Sequence, residues 1–165
     1  ITAFLYNAET WTLNKTEKKM IDQAEIKAWK RMIGLPPTTP TAGIIFTVGC
    51  LFASIRVEEK QLIYLHKILT KPEGHWTKTT LYALKKHKIG WAKQIMELLG
   101  ESKLEENWDV IKEKSPMDWK KEVKRAIERR NVERLKHESE NVRRGEATAK
   151  TKTKFVLEKI KALVA

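Results

Sequence analysis

Residues that turn a chain are scarce here, and those present sit where helices begin and end. Seven glycines and five prolines make twelve of 165 residues, roughly half the usual share. A sandwich or barrel of many short strands needs frequent turns, so an all-β fold is close to excluded. Asn14-Lys15-Thr16-Glu17 has the form of a capping box, with Asn14 accepting from first-turn amides and Glu17 reaching back. The helix it opens is expected to run to about Ile33, where Gly34 and Pro36-Pro37 stop it. Thr39-Pro40 pairs a cap with proline at the first helical position, predicting a short helix to Thr47 that Gly49 closes. Further helices are predicted from about Ser54 to Thr70, Thr77 to His87 and Trp91 to Leu99. Ser102-Lys103-Leu104-Glu105 reads as a second capping box, and Ser115-Pro116-Met117-Asp118 joins a cap, a proline and an early acid. The expected fold class is all-α.

The helix after Ser115 changes phase. Trp119, Val123, Ala126 and Ile127 share one face, but Arg130 and Arg134 then fall on it. Val132, Leu135, Ser139 and Val142 define a new stripe roughly opposite. Either the helix breaks near Asn131 or its second half packs on a different partner. Residues 146–154 (EATAKTKTK) have little apolar content and read as a basic linker. Phe155 to Val164 begins another amphipathic helix. The chain opens on Ile1 within an apolar stretch and stops within that last helix, so a segment of something longer is expected.

Chemistry is hard to find in these residues. There is no Gly-rich phosphate loop, no HExxH, no GxSxG and no Cys-x-x-Cys. Cys50 is the single cysteine, which excludes an internal disulfide framework and a thiolate zinc cluster. His66, His75, His87 and His137 have no ligand-like spacing, and His66 reads as a packed helix residue. Glu105, Glu106 and Asp109 cluster around Trp108, where a solvated face is the better reading than a metal site. No apolar run approaches the roughly 18 residues that span a bilayer, and nothing resembles a signal peptide. An intracellular chain without a catalytic centre of its own is the expectation.

Charge is the positive signal. Thirty-three Lys and Arg against twenty-one Asp and Glu give +12. Residues 1–111 carry 16 basic and 12 acidic side chains (+4), and residues 112–165 carry 17 and 9 (+8). An excess of this size favours an anionic partner, with nucleic acid ahead of a membrane surface. On the helix to Ile33, Ile21, Ala24, Ala28 and Met32 form one apolar stripe and Ile26, Trp29 and Ile33 another. Lys19, Lys27, Lys30 and Arg31 fill one gap between them. On the helix from Ser54, Arg56, Lys60, Lys67 and Lys71 lie within about 60° of one another, at 3.6 residues per turn, between two apolar stripes. Lys120, Lys121, Lys124, Arg125 and Arg129 form a broader outward face after Trp119.

The two flanked strips suit a groove that tracks phosphates, giving strong salt dependence and no sequence reading. The broad face balances evenly between phosphate contact and plain solvation. Trp29, Trp91, Trp108 and Trp119 read as core anchors. Trp76, beside His75 in a loop, is the one candidate platform for a stacked base.

Leu5-Tyr6-Asn7-Ala8-Glu9-Thr10-Trp11, followed by Ala28-Trp29-Lys30-Arg31-Met32-Ile33-Gly34-Leu35-Pro36, resembles the region just after the catalytic palm in reverse transcriptases of non-LTR retrotransposons. Thr38-Thr39-Pro40-Thr41, Ser54-Ile55-Arg56 and Gln61 to Leu69 look like its continuation. The resemblance is clearest over residues 5–70. It implies a thumb-like helical segment over 1–72 and a helical connector over 73–145, with 146–165 as a basic linker and the start of a further helix.

The function so implied is to grip the template–primer duplex, RNA/DNA or DNA, by its backbone. It also implies an upstream polymerase palm as partner and, in some lineages, a downstream zinc-knuckle and endonuclease segment. Mg²⁺ would be held only in that palm, upstream of Ile1, so no cofactor is expected in this segment. The chain would act in the nucleus when its target is DNA. The rival expectation is a helical protein–protein interaction module whose cations keep it solvated. A membrane-surface role fits poorly, because helices with two apolar sides want protein neighbours.

Overall fold

The structure, a computed structural model, describes residues 5–145. Among them it has seven α-helices and no strand: α1 (Lys15–Met32), α2 (Thr41–Val48), α3 (Ala53–Leu69), α4 (Trp76–His87), α5 (Gly90–Glu101), α6 (Trp108–Glu113) and α7 (Pro116–Gly145). A 3-10 turn at Ala8–Thr10 precedes them. The all-α expectation holds. The basic linker and last helix expected beyond residue 145 lie outside the described residues.

Local chemistry explains most helix ends. Asn14 Oδ1 accepts from the Glu17 amide at 2.9 Å, and Glu17 Oε2 accepts from the Asn14 amide at 2.7 Å. Asn14→Ala should therefore cost about 1 kcal/mol of stability, read as a lowered denaturant midpoint. Ser115 Oγ accepts from the Asp118 amide at 3.1 Å and donates to Asp118 Oδ2 at 2.7 Å, opening α7 as its sequence predicts. Gly49 closes α2 at φ +67°, a conformation that costs glycine little.

Two caps fall elsewhere. Pro40, not Thr39, occupies the capping position of α2, and no side chain caps that helix. Ser102 ends α5 instead of opening a helix. Its hydroxyl is buried and accepts from Arg130 at 3.3 Å. Asn107 opens α6, accepting from the Asp109 amide at 3.0 Å.

Helix α3 is the axis of the fold. It packs against α1, α4, α5, α6, α7 and the Ala8–Thr10 turn, and it buries residues on nearly every side, from Ala53 to Leu69. The main core joins Ile26 of α1 to Leu135 of α7, so residues on both sides of position 72 share it. Trp119, only 1% exposed, donates from Nε1 to the Leu62 carbonyl at 2.9 Å. His66 stacks on the same ring with centroids 6.4 Å apart and donates from Nε2 to the Lys114 carbonyl at 2.9 Å. It is a packed helix residue, as the sequence implies.

Buried charge shapes the rest. Helix α1 turns Asp22, Glu25 and Ile26 inward, while Ala24, Ala28 and Met32 face solvent. This reverses the apolar stripe expected there. The cause is pairing: a buried carboxylate is tolerable when cations and donors meet it. Asp22 accepts from the Ser54 amide and hydroxyl, each at 2.8 Å, and from Arg134 at 2.6 Å. Glu58 receives Lys18 at 2.7 Å and Arg130 at 2.6 Å. Glu25 receives Arg56.

These pairs also resolve the phase change in α7, which runs unbroken through Asn131. Arg130 and Arg134 continue the inward face of Trp119 and Val123 because acids await them there. The second half of α7 thus packs against α1, α2 and the start of α3, the second of the two expected alternatives.

Candidate nucleic-acid interface

The cations singled out by sequence separate into two kinds once their partners are known. On α3, Arg56 is half-buried against Glu25, and Lys60 donates to the Leu5 carbonyl at 2.7 Å. Lys71 Nζ lies 3.4 Å from His75 Nε2, a long contact. Only Lys67 of this strip is exposed without an internal partner. The expected solvent-facing strip is therefore not an array. Its first two members hold α3 to α1 and to the N-terminal segment, because α3 is central and its polar residues are enclosed.

The four α1 cations stay together. Lys19, Lys27, Lys30 and Arg31 line one groove of about 580 Å³, whose opposite wall is Arg134 and Glu138 of α7. Lys30 bends across to the Pro37 carbonyl. Lys19, Lys27 and Arg31 are exposed and have no internal ion pair.

Helix α7 carries the largest free set. Lys120, Lys121, Lys124, Arg125 and Arg129 are all exposed and all lack an internal ion pair or hydrogen bond from the side chain. Lys121, Arg125 and Arg129 recur every four residues, placing them about 6 Å apart along the helix axis. They line a shallow trough of about 800 Å³ with Lys103, Leu104, Asp118 and Glu122. The two acids are already engaged, Asp118 with Ser115 and Glu122 with Lys114 at 2.6 Å. Lys103 was not legible as part of this site. It lines the trough from a left-handed turn (φ +54°) in the α5–α6 connection, where the sequence pattern predicts a helix cap instead.

The trough and the α1 groove lie on opposite flanks of α7. At about 100° per residue, Arg134 and Glu138 project roughly opposite to Lys121, Arg125 and Arg129. A straight ligand laid along the trough does not reach the groove.

The aromatic residues divide similarly. Trp108 and Trp119 are fully buried, and Trp29 and Trp91 are partly buried against the core. Lys85 lies 4.0 Å above the Trp108 ring, and burial lowers its ammonium pKa. Trp76 is 73% exposed on the first residue of α4, not in a loop, with its ring stacked on His75 at 6.1 Å. Just before it, Glu73 bridges Lys78 and Lys112. The Lys78 ammonium, then Lys112, holds its carboxyl below the ordinary carboxylate value.

No group of three or more His, Cys, Asp or Glu side chains is gathered to hold a metal among the described residues. Glu105 instead accepts from the Asn107 amide at 2.8 Å. Burial, then the Glu25 charge, pushes the Cys50 thiol pKa up, which makes it a poor nucleophile. No helix among the described residues is long and apolar enough to cross a membrane. The chain matches no protein-family model, no curated protein and no solved structure.

Proposed function

We propose that this chain holds a nucleic-acid duplex, RNA/DNA or DNA, by its phosphate backbone and has no catalytic centre of its own. The observation that carries the reading is the α7 trough. Lys121, Arg125 and Arg129 stand in a row with Lys103 facing them, and none is consumed by an internal acid. Cations fixed on a packed helix meet phosphates without the ordering cost of a flexible tail. The reverse-transcriptase-like residues of the first seventy positions agree with this reading, which places the chain beside a polymerase palm, and in the nucleus when the target is DNA. A zinc-knuckle or endonuclease segment downstream belongs to the same proposal.

The first test is equilibrium titration of two unrelated duplexes at low salt. Both should bind, with affinities within a few-fold of each other, because phosphate contacts carry no sequence information. Failure to bind either duplex overturns the proposal. The α3 strip supplies a second test. Lys60→Gln should change duplex affinity less than twofold, since its ammonium faces the Leu5 carbonyl. A loss equal to that from one α7 cation would relocate the interface to α3.

A further inference from the structure

From the groove on the other flank of α7, we infer a second binding site, for an acidic amphipathic helix of a partner protein. The floor is aliphatic: Ile26 and Leu35, with Pro37 at one side. The rim is cationic, from Lys19, Lys27 and Arg31, none of which has an internal ion pair. Arg134 adds no free charge, because Asp22 and Ser54 engage it. Glu138 is the acid at the α7 end of the wall.

An apolar floor between positive edges is complementary to a helix with one aliphatic stripe and acidic flanks. From Lys19 to Arg31 the rim spans about 18 Å, the length of a helix of about three turns. A strand held by base stacking fits less well. Stacking needs an open aromatic face, and the aromatic ring in this groove, Phe52, is 1% exposed with Arg134 lying 3.9 Å over it. Residues 146–165 of the chain itself carry five lysines against two glutamates, so charge opposes that segment as the occupant.

The site is independent of the duplex proposal and separable from it by experiment. The probe is a labelled 14-residue synthetic helix with leucines on one face and glutamates flanking them. The comparison peptide has equal charge, with serine in place of leucine. The leucine peptide should bind at least tenfold tighter than the serine peptide. Lys27→Glu with Arg31→Glu should weaken it at least tenfold and leave α7-dependent duplex binding within twofold. Leu35→Ser should weaken the leucine peptide and not the serine one. Circular dichroism should show unchanged helix content, since the two charge reversals are at exposed positions. Equal binding of both peptides would mean bulk charge attraction and overturn the inference. Displacement of the peptide by single-stranded oligonucleotide at lower concentration than by unlabelled peptide would also overturn it, in favour of a nucleic-acid groove.

Discussion

Arg134→Ala should lower the unfolding free energy by about 3 kcal/mol, the lower end of the range for breaking a buried ion pair from one side, because Asp22 is buried and Arg134 itself is a third exposed. Asp22 is 4% exposed, and its carboxylate takes three donors: the Ser54 amide, the Ser54 hydroxyl and Arg134. Removing the guanidinium leaves a buried negative charge with two neutral donors. It also uncovers Phe52, over which Arg134 lies at 3.9 Å. Against a total stability of about 5–15 kcal/mol for a domain, that loss releases the second half of α7 from α1 or unfolds the chain. Urea denaturation measures it. The double variant Asp22→Asn with Arg134→Leu should lose clearly less, because neither partner then carries charge. A loss under about 1 kcal/mol for Arg134→Ala would show that the pair behaves as a solvated surface bridge.

The second large effect is on binding. Replacing Lys121, Arg125 and Arg129 together with glutamine should weaken duplex affinity about a hundredfold. Each phosphate contact contributes on the order of 1 kcal/mol, and about 1.4 kcal/mol corresponds to a tenfold change in the dissociation constant. All three side chains are exposed without internal partners, so the unfolding midpoint should stay where it is. Fluorescence anisotropy with one labelled duplex reads the change. Affinity within threefold of the original would remove α7 from the interface.

Local patterns in the sequence were read correctly where the interaction is itself local. The Asn14–Glu17 box and the Ser115–Asp118 cap each span four residues, and every group involved lies inside the motif. Trp119 as a core anchor follows from its place on an apolar stripe. Misreadings arose where a side chain's partner is far along the chain. Arg130 and Arg134 fall on the apolar face of α7, and the sequence leaves a break or a new partner open, since nothing nearby shows that Glu58 and Asp22 are buried opposite them. Ala24, Ala28 and Met32 looked like core for the same reason. The inner face of α1 is instead acidic, matched by arginines from α3 and α7.

The cationic site followed the same logic. Helical spacing grouped Arg56, Lys60, Lys67 and Lys71 well enough, but spacing says nothing about who claims each charge. The centrality of α3 turns Arg56 and Lys60 inward, and the broad α7 face is left with the free cations. Lys103 lines that trough from the left-handed turn after α5, which no local pattern marks. One visible conflict could have signalled the seam: two arginines on an otherwise apolar face imply acids facing them.

The salt dependence of duplex binding tests the central claim most directly. Log affinity should fall linearly with log salt, and the Lys121/Arg125/Arg129→Gln protein should show a slope shallower by about 2.7, three phosphates at about 0.9 each. A control protein carrying Lys60→Gln, whose ammonium is taken by the Leu5 carbonyl, should keep the original slope. An unchanged slope in the α7 variant, or binding that does not respond to salt, would contradict the account.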